Sequence, residues 1–255
     1  MLPYLNPRRS ELAMTHKRQV LVTGANKGLG LAIAKGLAAA GLSVWMGARD
    51  RARGEHAVQT LRGEGFDVRF IQIDVADDAS VRRAAETVRQ EIDALDVLVN
   101  NAGIAHDLQI SPSELSMDDV KATYEVNLFG PIRVTQAFAT LLKAAEDARI
   151  VNMSSGLGSL TLITDPTSLF STVNLLAYTS SKVALNAVTV SFAKELEPFG
   201  IKVNAVEPGH VRTDLNDNTG FLTPEEGAAT AIRMALIGKD GPTGGFFGNH
   251  GRQPW

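Results

Sequence analysis

The 255-residue chain contains no cysteine. Disulfides and thiolate metal sites are thereby excluded, and a reducing compartment is the natural setting. No apolar run is long enough to span a bilayer. The N-terminal stretch MLPYLNPRRSELAMTHKRQ also lacks the unbroken apolar region of a secretory signal, because Pro3, Pro7, Arg8 and Arg9 interrupt it. Residues 1–17 are expected to be a flexible lead-in, with Met14 an alternative start, and the protein to be soluble and cytoplasmic. A large charge of one sign is missing too. The 25 Lys and Arg against 28 Asp and Glu leave a formal charge of −3, which offers no general attraction to nucleic acid or to an anionic membrane. There is no H-x-x-x-H spacing and no carboxylate cluster of the kind that holds a metal. Internal repeats, low-complexity tracts and linkers are absent as well, so residues 18–255 read as one domain, long enough to bury a core without staples.

What is present is an alternation of short apolar runs and longer helical patterns. The runs are QVLVTG (19–24), SVWMGAR (43–49), VRFIQID (68–74), VLVNNAG (97–103), RIVNMSS (149–155), KVNAVEPG (202–209) and GGFFGN (244–249). They are rich in Val and Ile and do not alternate cleanly with polar residues, as befits strands buried on both faces of a parallel sheet. Helical patterns cover 31–41, 50–65, 77–95, 117–147, 177–198 and 223–238. Asp50 is a plausible N-cap, and the acidic start at 77 suits a helix N-terminus. This order predicts an α/β fold: a doubly wound parallel sheet of about seven strands with helices on both faces.

The first run leads straight into T-G-A-N-K-G-L-G at 23–30. Gly24, Gly28 and Gly30 mark a tight strand-to-helix turn whose backbone N–H groups, with the helix dipole, suit a dinucleotide pyrophosphate. The spacing is G-x-x-x-G-x-G, not G-x-G-x-x-G. Where an NAD site carries an acidic residue, the second run ends Gly47-Ala48-Arg49. Arg49, with Lys27 inside the glycine turn, favours a 2′-phosphate and hence NADP(H) over NAD(H).

With Asp74-Val75 after the third strand, N-N-A-G at 100–103, Asn127 in Y-E-V-N-L, the pair Ser154-Ser155, Tyr178-x-x-x-Lys182 and P-G-H-V-R-T-D at 208–214, the chain resembles the short-chain dehydrogenase/reductase family over about residues 18–250. In detail it is most similar to the NADPH-dependent carbonyl reductases of that family. The resemblance implies a Rossmann-type, three-layer αβα domain. It also implies that Gly24, Asn26, Lys27, Gly28, Leu29, Gly30 and Arg49 bind the cofactor, with Asp74 and Val75 against the adenine. Asn101, Ala102 and Gly103 would line the adenosine ribose side, and Pro208, Gly209, Val211 and Thr213 would hold the nicotinamide. The catalytic group would be Asn127, Ser155, Tyr178 and Lys182, the last two also touching the cofactor. Ser155 is preferred to Ser154 because the second serine of the pair usually occupies the site, and strand alternation lets only one face the cofactor.

The chemistry implied is reduction of a ketone or aldehyde, with Tyr178 as proton donor. A free phenol titrates near ~10, and Lys182, one helical turn away, with the oxidised nicotinamide, is expected to lower that value. Ser155 would stabilise charge on the substrate oxygen, and Asn127 would hold a water relaying protons to Lys182. Ile104, His106, Leu157 and His210 are expected to line a largely apolar substrate pocket. The stretch from Ser155 to Tyr178 is longer than is usual in the family, so about 157–176 read as an inserted loop with a turn at Asp165-Pro166. That loop shapes the substrate mouth or covers the helix surface where copies would dock, and a monomer is expected over a dimer or tetramer. The competing readings are a non-catalytic NADPH-binding sensor and an alcohol dehydrogenase running with NAD(P)+.

Overall fold

The computed structural model describes residues 17–255. The expected lead-in therefore lies, save for Lys17, outside the described residues. Eight strands form one sheet in the order β3-β2-β1-β4-β5-β6-β7-β8. They are β1 (Gln19–Thr23), β2 (Ser43–Ala48), β3 (Val68–Gln72), β4 (Val97–Asn100), β5 (Arg149–Met153), β6 (Lys202–Val206), β7 (Phe246–Gly248) and β8 (Gly251–Arg252). Each of the expected apolar runs supplies a strand, and all seven of these pair in parallel. The two-residue β8 adds an antiparallel return along β7.

Side-chain alternation divides the strands between two cores. In β1, Val20 and Val22 point to one face and Leu21 to the other; in β5, Val151 and Met153 oppose Ile150. The first face is covered by α1 (Gly28–Ala39), α2 (Arg51–Gly63) and α8 (Pro224–Ala235), through residues such as Ile33, Leu37, Leu61 and Met234. The second is covered by α3 (Asp78–Arg89), α5 (Gly130–Ala144) and α7 (Leu176–Leu196), through Val88, Phe138, Leu142 and Leu196. Burial on both faces explains why the strand sequences are apolar throughout.

The pattern read as one helix over 117–147 is broken. α4 (Met117–Tyr124) passes into a single π-helical turn, Glu125–Phe129, before α5 begins. Pro131 sits in the first turn of α5, where its missing N–H costs nothing, and the register changes just ahead of it. Asn127 lies in that π turn. Between β5 and α7 run a 3₁₀ turn at Gly156–Gly158, the short α6 (Leu160–Thr164) and a stretch of turns. Asp165 Oδ1 accepts from the Thr167 N–H at 2.8 Å, which makes the expected turn at Asp165-Pro166.

β1 is the point where the chain, having stepped outward to β2 and β3, returns to the other side at β4. Such a reversal opens a crevice at the carboxyl ends of the strands. The glycine turn after β1 and the N-N-A-G segment of β4 flank it.

Candidate active site

The crevice is built around the end of β1. Gly24 has φ +65° and turns the chain out of the strand. A Cβ on Gly30 would lie 2.3 Å from the Gly24 carbonyl oxygen and 2.4 Å from Asn101 Nδ2, so only glycine lets α1 start this close to β4. Thr23 and Asn101 lock the two strand ends together. Thr23 Oγ1 accepts from the N–H groups of Asn101 and Ala102 at 3.0 and 3.1 Å, and Asn101 Nδ2 donates to the Thr23 carbonyl at 2.8 Å. α1 has no side-chain N-cap, since Lys27 occupies that position, and its first N–H groups are left to an anion. Beside the turn lies a cavity of about 360 Å³ lined by Asn26, Lys27, Ala52, Arg53 and His56. The geometry thus fits a dinucleotide phosphate, and the donors beside it fit a further phosphate.

Other expected cofactor residues fall around the same crevice. Asp74 and Val75 follow β3; Asp74 Oδ1 accepts from the Ala76 N–H, and Val75 packs over Gly130. Arg49 is exposed at the end of β2 and is not among the residues lining the cavity, whereas Arg53 and His56, one turn apart on α2, are. Asp50 caps α2 as expected, accepting from the Arg53 N–H at 3.0 Å. Lys27 does line the cavity, but its Nζ also pairs with Asp214 of the segment after β6. Thr213 of that segment stands next to Gly28. Gly209 takes φ +79°, and the Val211 side chain is buried against Gly227 of α8, so Val211 can meet a cofactor only through its main chain.

Deeper in the crevice, β5, α7, the π turn and the segment after β4 bring four side chains together. Tyr178 lies in the first turn of α7, one turn from Lys182. Lys182 is 4% exposed; its Nζ donates to the Met153 carbonyl at 2.8 Å and lies 5.5 Å from the Tyr178 ring centroid. Ser155, two residues past β5, is half-buried and faces Tyr178, while Ser154 is buried on the opposite side beside Gly158. Asn127 is fully buried. Its Oδ1 accepts from the Ile104 N–H at 2.9 Å, and its Nδ2 donates to the Ile104 carbonyl at 2.9 Å and to Ser181 Oγ at 3.1 Å. Both ends of the amide are thus engaged, clasping Ile104 and Ser181. Gly103 sits between Asn127 Oδ1 and Lys182 Nζ, at 3.5 and 3.6 Å from where its Cβ would be.

Without the cofactor, burial sets the electrostatics of the pair. Burial pushes the Tyr178 phenol up to about 12; hydrogen bonding with Ser155 opposes the rise and the charge of Asp107 adds to it. Burial also holds the Lys182 ammonium down, at about 8. The lowered phenol pKa expected from Lys182 is therefore not produced by the protein's own groups, because Nζ is bonded to a carbonyl and desolvation dominates both side chains.

Of the expected pocket residues, Ile104 is clasped through its main chain, Leu157 is buried, and His106 and His210 are exposed. His210 meets the Phe221 ring edge-on at 4.9 Å. Sequence reasoning missed Asp107, Phe170, Arg53 and His56. Asp107 is fully buried and accepts from the Ala177 and Tyr178 N–H groups. The Phe170 ring covers Gly156, next to Ser155. Only Arg53 and His56 carried a readable signal, as basic residues one turn apart at the start of the helix after β2.

Comparison with known proteins agrees with this architecture. The family model for short chain dehydrogenase matches residues 18–220. The chain is 36% identical to (+)-neomenthol dehydrogenase of Arabidopsis thaliana, over 90% of this chain and 95% of that protein. It is 32% identical to carbonyl reductase [NADPH] 1 of Rattus norvegicus, over 92% and 97%. Among solved structures, the NADPH-bound carbonyl reductase from chicken fatty liver superposes with a TM-score of 0.82 at 29% identity, covering 94% of this chain and 99% of that one. The sheet order, the glycine turn at its reversal and the grouping of Ser155, Tyr178 and the buried Lys182 agree with these matches, and the chain belongs to the short-chain dehydrogenase family of oxidoreductases.

Proposed function

We propose that the protein is an NADPH-dependent reductase of ketones or aldehydes. The observation that carries this reading is the convergence of Ser155, Tyr178 and Lys182 at the carboxyl end of β5, across the crevice from a glycine turn whose helix N-terminus is uncapped. The nicotinamide, when bound, supplies a hydride to the carbonyl carbon. The remaining work falls to the chain. Tyr178, held protonated by burial, donates its proton to the substrate oxygen. Ser155 donates a hydrogen bond to the same oxygen as charge develops there. Lys182, fixed by Met153, orients the cofactor ribose and offers positive charge to the phenolate that remains. Lys27 and Arg53 beside the cavity favour the 2′-phosphate of NADP(H). The relatives named as carbonyl reductases support both the reaction and the cofactor.

The test is NADPH oxidation against a panel of neutral ketones and aldehydes, with Tyr178→Phe as control. Turnover in the wild type that is abolished in the variant is expected. No turnover on any carbonyl, or full activity in the variant, refutes the assignment.

A further inference from the structure

Tyr178 opens α7 without a local cap. The N-cap position is Leu175, whose side chain cannot accept a hydrogen bond. A helix start normally finds an oxygen for its second or third N–H group. Here that oxygen comes from the segment after β4. Asp107 Oδ2 accepts from the Ala177 N–H at 2.8 Å and from the Tyr178 N–H at 3.0 Å.

The other end of the Tyr178 peptide is held as well. Ser181 Oγ donates to the Tyr178 carbonyl at 2.7 Å and accepts from Asn127 Nδ2. Asn127 in turn clasps the backbone of Ile104, three residues before Asp107. The segment 104–107 is thus pinned to the π turn at one end and pins α7 at the other. Asp107 is fully buried, and its Oδ1 has no hydrogen-bond partner among the described residues. A carboxylate buried this way is costly unless its charge is used.

We propose that Asp107 is the positioning residue of Tyr178: its carboxylate supplies the cap that α7 lacks, fixes the Tyr178 main chain against Ser155 and Lys182, and sets a negative charge behind the phenol that keeps the proton in place. The proposal rests on the reading of Tyr178 as proton donor. Among the described residues, the charged groups around the phenol are few. Lys182, on α7, lies 5.5 Å from its ring centroid, and Asp107, from the segment after β4, is bonded to the Tyr178 main-chain N–H. Ser155, from β5, is neutral. After β6, Glu207 lies behind the Ser155 turn, where it accepts from the Gly156 and Gly209 N–H groups. His106, beside Asp107, is exposed. The charge of Asp107 raises the phenol pKa, in keeping with this role.

The experiment compares Asp107→Ala, which removes the acceptor, with Asp107→Asn, which keeps an acceptor oxygen and removes the charge. Three readouts are taken: steady-state reduction of a ketone, hydrogen exchange at the start of α7, and the tyrosinate absorbance difference between each protein and its Tyr178→Phe counterpart. In Asp107→Ala, kcat is expected to fall roughly tenfold to a hundredfold, the scale of a small misplacement of a catalytic group, with KM little changed. The Ala177 and Tyr178 amides should exchange faster. Asp107→Asn should restore the protection and most of kcat, yet ionise Tyr178 at lower pH than the wild type. Unchanged exchange and kcat in Asp107→Ala, or an unmoved Tyr178 titration in Asp107→Asn, overturns the proposal. If Asp107→Ala does not fold, exchange and titration in Asp107→Asn decide alone. Absence of turnover in the wild type refutes the proton-donor reading, and the exchange and titration still decide on Asp107.

Discussion

The Nζ of Lys182 stands 5.5 Å from the centroid of the Tyr178 ring, and its hydrogen bond goes to the Met153 carbonyl rather than to the phenol. The pair is close enough to interact but is dominated by burial, which raises one group to about 12 and lowers the other to about 8. Tyr178 is therefore expected to remain protonated in the cofactor-free protein near pH ~10, where a free phenol is half ionised. The measurement is the alkaline absorbance titration of the wild type minus that of Tyr178→Phe. A difference curve centred at or below the free-phenol value contradicts this. NADP+ should move the curve to lower pH, because the cationic ring favours phenolate.

Lys182 makes a prediction for stability. Its folded pKa of about 8 lies below the unfolded value, so between about 8 and ~10.4 the unfolded chain binds more protons and this residue's contribution rises with pH. Below that window both states are charged, and the buried ammonium costs about 3 kcal/mol. Lys182→Met is expected to raise Tm at neutral pH while abolishing reduction, and its advantage over the wild type should shrink towards pH ~10. Thermal melts of both proteins across that range check the sign; an advantage that grows with pH refutes it.

How far the sequence revealed this site follows from the range of each interaction. The strands were legible because burial on both faces leaves continuous apolar runs, as in β1 and β5. Ser155, Tyr178 and Lys182 were legible because strand-end and one-turn spacings are local. The break at Glu125–Phe129 was hidden, since the apolar periodicity of 117–147 runs through it and only Gly130-Pro131 marks the change. Asp107 left no trace, because its partners are backbone N–H groups far along the chain and any sequence at 177–178 supplies them. The rise of the Tyr178 phenol in the cofactor-free chain was not legible, because Tyr-x-x-x-Lys reports proximity, while desolvation depends on everything packed around it.

The cofactor's 2′-phosphate is the next point to test. Arg53 and His56 line the cavity beside the glycine turn, and Arg49 does not. Arg53 is held near Asp50 at 3.4 Å, 70% exposed and free to turn towards an anion. Losing one charge-assisted contact to a phosphate corresponds to roughly tenfold to a hundredfold in affinity. Arg53→Ala should raise the KM for NADPH by that factor and leave the KM for NADH unchanged, while Arg49→Ala has the smaller effect. Steady-state kinetics with both nucleotides separate the two arginines, and a larger effect at Arg49 reverses the assignment.

The segment between β5 and α7 reaches the site through Phe170. A Cβ on Gly156 would lie 2.2 Å from the Phe170 ring, so the ring lies directly on the turn that follows Ser155. The loop is tied down at its other end, where the Thr161 N–H and Oγ1 donate to the Trp255 carbonyl and Trp255 stacks on Phe246 of β7. With Thr161 still bonded to Trp255, removing the ring opens space beside Ser155. Phe170→Ala should raise kcat/KM for bulky ketones relative to small ones by roughly tenfold or more, the scale set by one apolar group in a pocket. Tm should change little, because the ring is only partly buried. A ratio that does not move would place the substrate on the far side of the crevice, against His210 and Phe221, and the same measurement on Phe221→Ala would then carry the change.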